Sequence, residues 1–222
     1  MLALGTVPII PAGQPDCTIA PEAFSQDVKD HINRSTSRIV YPLSHATAFF
    51  ISEDGYMLTN YHVVDRGGPF TVYIDGVKHR AVLKDVAPQY DLALLKVVDV
   101  RVKHYVKISQ CDVKLGDAVG IIGYPRGKWG QSYGKLESVV KSYNPSGSHK
   151  TCCENGWRMT AMLNPGASGS AIFNTKGELV AVYHAKTPNR GLAIPLDHVK
   201  EFLDGRVGSC PETISIITYL FN

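Results

Sequence analysis

From about residue 39 onward, apolar positions recur in short runs divided by Gly, Pro, Asn and Asp. ATAFFIS (46–52), the pair Asp54-Gly55 and YMLT (56–59) predict a hairpin. TVYI (71–74), Asp75-Gly76 and VKHRAVL (77–83) predict a second, closed by a dipeptide that two-residue turns favour. LALLKVV (92–98) is apolar almost throughout, as expected of a strand covered on both faces. The pattern restarts with DAVGIIG (117–123) and the Pro/Gly-rich YPRGKWG, and further strands are expected over 132–142, 157–163, 170–173, 178–184 and 191–194. Helical spacing is confined to 21–34, through Phe24, Val28 and Ile32, and to 197–203, opened after Pro195 and stopped by Gly205. Two clusters of short strands without alternating helices point to two all-β lobes rather than a parallel sheet. The expected division is an N-terminal extension (1–38), a first lobe (39–112), a second lobe (113–196) and a C-terminal helix with tail (197–222).

Composition narrows the class. With 222 residues the chain can bury about 70% of its unfolded surface. Hydrophobic residues at 44% and charged residues at 19% suit a folded globular protein and exclude a disordered one. The net charge of +3 comes from interspersed acids and bases, so no nucleic-acid or membrane footprint is expected. The leading segment MLALGTVPIIPAGQPDC is apolar but broken by Pro8 and Pro11 and lacks a basic lead. It fits neither a secretory leader nor a membrane span, and the expectation is a soluble chain of unassigned compartment. Five scattered cysteines read as ordinary thiols, and His149, Cys152 and Cys153 match no paired metal-ligand spacing, so no metal or cofactor is expected.

Three residues make chemical sense together. TNYHVVD places His62 after a strand, QYDLALLK places Asp91 at the mouth of the buried strand, and NPGASGSAIF (164–173) places Ser168 between two glycines. A serine hydroxyl needs an adjacent base, an imidazole titrates in the right range, and a buried carboxylate fixes the imidazole tautomer and stabilises its cation. Gly166, two residues ahead, lets the backbone aim its N–H and that of Ser168 at one developing oxyanion across Ala167. Asp65 and Asp85 precede no buried strand, Ser170 lacks the upstream glycine, and the TNYHVV context sets His62 ahead of His45. The order His, Asp, Ser is that of chymotrypsin-like proteases and differs from the subtilisin and α/β-hydrolase orders.

These segments resemble the protease domain of the HtrA/Deg serine proteases over about residues 36–204. The match runs through DGYMLTNYHVV, DLALLKV, KLGDAVGIIGYPRG, LNPGASGSAIFNTKGELVAV and GLAIPLDHVKEFL. The resemblance implies two antiparallel six-stranded β-barrels of the chymotrypsin type, with His62, Asp91 and Ser168 as triad and an oxyanion site at Gly166, Ala167 and Ser168. It implies a polypeptide substrate and, through the N-terminal extension, a homotrimer. Against the family pattern, Ala167 and Gly169-Ser170 replace Asn and Gly-Gly around the serine, HATAFF replaces a Gly-Ser-Gly stretch, and no PDZ domain is expected after the protease. Ala167 cannot pair with a freed N-terminus, so activation by that ion pair is not expected.

The resemblance also locates the specificity pocket, with Met162 at its floor beside Leu163 and a wall from Tyr183, His184 and Ala185. An apolar floor leaves a substrate cation unpaired, which favours small or medium apolar residues before the scissile bond. Two alternatives remain: a glutamyl-type endopeptidase using His184 as a wall histidine, and a degenerate protease acting as a binding module or chaperone.

Overall fold

The computed structural model describes residues 24–143 and 153–205. The expectations for residues 1–23, for the loop with His149 and Cys152, and for the tail after 205 lie outside the described residues.

Helix α1 (Gln26–Ser35) is capped by Ser25, whose Oγ accepts from Val28 N at 3.2 Å. Six strands follow: β1 (Thr36–Tyr41), β2 (Ser44–Phe50), β3 (Tyr56–Thr59), β4 (Phe70–Ile74), β5 (Val77–Ala87) and β6 (Leu92–Val97). They close an antiparallel barrel in the order β1-β2-β3-β6-β5-β4. The one-turn helix α2 (Tyr61–Val64) leaves the barrel after β3. Asp75 and Gly76 both adopt positive φ, 49° and 81°, as a tight Asp-Gly hairpin requires.

The second sheet comprises β7 (Lys107–Ile108), β8 (Ala118–Gly123), β9 (Gly130–Tyr143), β10 (Cys153–Met159), β11 (Ala171–Phe173), β12 (Glu178–Lys186) and β13 (Gly191–Pro195). Its order is β11-β8-β9-β10-β13-β12, and β11 also pairs with β12, so these six close a second antiparallel barrel. β7 adds a parallel two-residue rung on β12. Helix α3 (Leu196–Leu203) ends the described chain. The mostly-β, two-barrel expectation holds. One strand differs from expectation: residues 160–163, expected to extend β10, are irregular and lead into the Asn164–Gly169 turn.

Each barrel has its own apolar interior, Phe50, Met57, Val72 and Leu95 in the first and Val119, Ile121, Val180 and Tyr183 in the second. A third cluster joins them, with Phe49, Leu58, Ile122, Phe173, Val199 and Phe202. This seam fixes one barrel on the other and so fixes any site built across it. The helical face expected to bind a second copy is covered within the chain. Ile32 is fully buried, Phe24 and Val28 pack against the seam, and the Phe24 ring lies 4.9 Å from Tyr133 and 5.4 Å from Phe173. The cysteines also differ from expectation, because Cys111 is disulfide-bonded.

Candidate active site

Asp91 is placed by backbone geometry before it does any chemistry. It ends a one-turn 3-10 segment (Pro88–Tyr90) in the left-handed region, φ 54°, which Asp tolerates better than most residues. From there it serves the free N–H groups at the start of α2. Tyr61 N donates to its carbonyl at 3.0 Å and His62 N to its carboxylate Oδ1 at 2.8 Å. Asn60 Nδ2 also donates to that carbonyl, at 3.1 Å. The same carboxylate reaches the His62 ring, with Nδ1 2.8 Å from Oδ2. Capping the helix and orienting the imidazole are one contact set. His62 Nδ1–H thereby points inward, and Nε2 is left to act as acceptor.

A second imidazole shares that oxygen. His184 Nδ1 lies 2.5 Å from Asp91 Oδ2, and the His184 and His62 rings meet edge to face at 5.5 Å. Side-chain exposure is 27% for His62, 3% for Asp91 and 1% for His184. Burial pushes the Asp91 carboxyl up, but donors from His184 and His62 overturn this and hold it at about 2. Burial pulls His184 below the ordinary histidine range, and the attraction of Asp91 offsets only part of that. The contact is therefore a neutral N–H donated to a carboxylate rather than an ion pair.

His62, Asp91 and His184 also form a cluster whose ligand atoms lie within 4.8 Å of one another. Donors around one zinc ion at ~2.1 Å stand about 3.4 Å apart. The 2.8 and 2.5 Å contacts onto Oδ2 are hydrogen-bond distances instead.

Ser168 comes from the second barrel on two consecutive turns. Ala167 N donates to Asn164 O at 3.2 Å and Ser170 N to Ala167 O at 3.0 Å. Gly166 and Gly169 take φ of 100° and 83° at the third positions of these turns. Ala167, between the two expected oxyanion donors, commits its N–H to the first turn and buries its methyl in the second barrel. Among the described residues, neither Gly166 N nor Ser168 N donates a hydrogen bond. Ser170 Oγ, 2.6 Å from Ala167 O, braces the second turn.

The turns are tied across the seam by residues that sequence reasoning did not single out. Thr47 N donates to Ser168 O at 3.0 Å, and Thr47 Oγ1 donates to Gly166 O at 2.9 Å. Thr59 Oγ1 in turn donates to Thr47 O at 2.8 Å. A Cβ on Gly169 would lie 2.2 Å from Thr47 O, so the first barrel sits directly on the nucleophile turn. The departure HATAFF was the only sequence signal for Thr47.

The described hydrogen bonds join His62 to Asp91 but give Ser168 a different partner. Ser168 Oγ donates to His184 O at 3.0 Å. The register of β12 shifts here, since Tyr183 pairs with Ala193 and Ala185 with Leu192, which puts a bulge at His184. The expected pocket wall is corrected accordingly. His184 turns its ring to Asp91, which removes the observation behind glutamyl specificity. Tyr183 is 2% exposed, and its hydroxyl donates to Leu163 O at 2.8 Å and accepts from Leu163 N at 3.1 Å. Burial pushes that phenol up to about 12, against the pull of its backbone bond. Met162 and Ala185 are half-buried, and Met162 N donates to Ser132 Oγ at 3.0 Å.

Two closed β-barrels meeting at a carboxylate-oriented histidine, beside a serine on a glycine-braced turn, define the two-barrel serine protease class. The chain belongs to the trypsin-like peptidases of the HtrA/DegP type, with the trypsin-like peptidase domain family matching residues 46–182. It is 35% identical over 156 residues to a probable periplasmic serine endoprotease, DegP-like, of Buchnera aphidicola, covering 67% of this chain and 33% of that one. It is 34% identical over 174 residues to a protein of the same description from Rhizobium meliloti, covering 75% and 34%. The chain thus spans about a third of the length of these curated relatives. Among solved structures, the fold matches the inactive form of the Rv3671c protease with a TM-score of 0.73 at 21% identity, over 88% of this chain and all of that one. The active form from M. tuberculosis matches with 0.72 at 21% identity, over 95% of each. Among the described residues, no helix is long and apolar enough to cross a membrane.

Proposed function

We propose that this chain is a serine endopeptidase that cleaves unfolded or flexible polypeptides through an acyl-enzyme, without metal or cofactor. The observation that carries the reading is the double hold of Asp91 on His62, through the ring Nδ1 and the backbone amide, in the seam that faces the Ser168 turn. In the first step Ser168 Oγ leaves the His184 carbonyl and passes its proton to His62 Nε2 as it bonds to the substrate carbonyl carbon. That rotation exchanges one hydrogen bond for another, each worth about 1 kcal/mol. Resting structures often hold such contacts apart until substrate binds. The oxyanion is received by the N–H groups of Gly166 and Ser168. His62 then returns its proton to the departing amine, and water releases the acyl group by the same route in reverse.

Specificity follows from Tyr183. The family resemblance assigns Met162, Leu163 and Tyr183 to the space for the residue before the scissile bond, and the Tyr183 hydroxyl bonds to the Leu163 backbone there. With Met162 beneath, that space suits small, then medium, apolar side chains and offers no partner for a cation.

Labelling with a fluorophosphonate and cleavage of a denatured protein test the reading together. Wild type labels at Ser168 and cuts, whereas Ser168→Ala does not label and cuts only at the ~10³–10⁴-fold residual over water that binding and the oxyanion site supply. Cleavage by Ser168→Ala at the wild-type rate removes Ser168 as nucleophile. Failure of wild type to label favours a binding module in which the serine stays on the His184 carbonyl.

A further inference from the structure

The end of the first barrel opens into a cavity of about 660 Å³ that the acyl-enzyme scheme leaves unused. Its walls come from the end of α1, from β1, from the β4–β5 hairpin and from residues 101–104, and Tyr124 and Gly127 of the second barrel close one side. The charge on these walls is one-sided. Arg34, Arg38, Arg101 and Lys103 face the carboxylate of Asp75 alone. Of these four cations, only Arg101 has an ion-pair partner among the described residues, Glu53 at 2.8 Å on the exposed surface.

Arg38 is the fixed member of the set. It is half-buried, its guanidinium carbon stands 4.6 Å from the centre of the Tyr73 ring, and its Nη1 donates to Gly127 O at 3.4 Å. Burial raises the Tyr124 phenol and the Arg38 charge pulls it back, so these two side chains share one space. The ring and the carbonyl hold the guanidinium in place while using one of its five N–H groups. Among the described residues, Arg38 makes no other hydrogen bond and no ion pair. A guanidinium held this way, with donors to spare, presents the fork that a carboxylate fits.

The turn that closes the cavity also touches the oxyanion residue. A Cβ on Gly166 would lie 2.8 Å from Tyr124 O, 2.9 Å from Arg126 N and 3.0 Å from His45 Nε2, and a Cβ on Gly127 would lie 3.4 Å from that same nitrogen. Gly166, His45, Gly127 and Arg38 are thus linked by successive contacts. A polypeptide whose scissile carbonyl sits at Gly166 comes within reach of the guanidinium after about three extended residues, at ~3.3 Å each. The residue before the cut belongs to the second barrel, at Met162, Leu163 and Tyr183. The cavity opens on the first-barrel side of Gly166, so the residues that approach it are those after the cut.

We propose that the Arg38 cavity takes the carboxylate of an Asp or Glu a few residues after the scissile bond, which makes acidic polypeptide on the leaving side of the cut the favoured substrate class. This rests on the endopeptidase reading above and adds a second specificity element to it. Arg38 supplies the N–H groups that pair with the carboxylate, and Arg34 and Lys103 add positive field around it. Asp75 is the one like charge that opposes the ligand. A substrate lysine at the same position meets cations instead and is rejected.

Fluorogenic peptides with a small apolar residue before the cut, and Glu, Gln or Lys at successive positions after it, test the site with the full chain. Wild type is expected to show a kcat/KM about 10-fold higher for Glu than for Gln near the third position after the cut. Arg38→Gln should bring that ratio close to one, and Arg38→Glu should favour Lys. Taking the ratio within each protein cancels any loss of folded enzyme. A wild-type ratio near one at every position, an acid preference confined to positions before the cut, or a ratio that Arg38→Gln leaves unchanged overturns the proposal. The two readings fail separately. Cleavage by wild type without acid selectivity removes only the role of the cavity. If wild type neither labels nor cuts, binding of the Glu and Gln peptides to Ser168→Ala, read by fluorescence anisotropy, decides the cavity alone. Selectivity that Arg38→Gln abolishes keeps it as an acid-binding site, and equal binding removes both readings.

Discussion

Acidification should withdraw the stability that Asp91 contributes, by an amount the site geometry sets. Asp91 is 3% exposed, and although burial alone would raise its carboxyl, the His184 and His62 rings hold it at about 2, against an ordinary value of 3.8. A difference of a little under two pKa values corresponds to about 2 kcal/mol in favour of the folded state. The sign follows from which state takes the proton first. Below pH 3.8 the unfolded chain protonates Asp91 before the folded chain does, so the contribution is whole near pH 5 and is lost as pH falls through about 2. His184 acts in the same direction in a higher window. Burial keeps it neutral in the fold, so the unfolded chain binds its proton first once pH drops below 6.5. Urea unfolding of wild type and Asp91→Asn, measured from pH 7 to pH 2, isolates the effect because the other acids titrate in both proteins. The stability gap between them should narrow by about 2 kcal/mol between pH 5 and pH 2. A gap that stays constant over that range refutes the claim that Asp91 is held ionised by its donors.

Two further outcomes are expected at the seam and the pocket. Gly169→Ala places a methyl at positive φ and 2.2 Å from Thr47 O, so it should cost more than ~3 kcal/mol by chemical denaturation and abolish Ser168 labelling. Near-wild-type stability there shows that the seam can yield around the nucleophile turn. Tyr183→Ala should cost about 3–5 kcal/mol and shift the cleavage profile of a denatured proteome toward larger apolar residues before the scissile bond. An unchanged profile places the specificity pocket elsewhere.

What could be read along the chain is what each lobe encodes locally. The hairpins around Asp54-Gly55 and Asp75-Gly76 announce themselves because turn chemistry and strand alternation agree over a few residues. His62 stands out by its place after a strand and Asp91 by opening the buried β6. β1, TSRIVY, was harder to see, because its polar residues are buried and its burial does not alternate. α2 spans four residues and β7 two, below any periodic signal. His184 shows the limit most clearly. VAVYHAK reads as a regular strand, and regular alternation sends Tyr183 and His184 to opposite faces. The partner of the His184 ring, Asp91, belongs to the other barrel 93 positions away, so no local pattern announces the contact.

Thr47 and Thr59 carry no local signal for the same reason. They sit in the first barrel, yet Thr47 bonds to Gly166 and Ser168 of the second, and Thr59 supports Thr47 from below. Those contacts exist only after the two barrels pack through Phe49, Leu58, Ile122 and Phe173. Docking therefore completes the chemistry from both directions. The first barrel braces the turn that presents the nucleophile, and the second sends His184 back to steady the carboxylate behind the base. Loosening the seam should then disturb the serine and the aspartate together, even with each barrel intact.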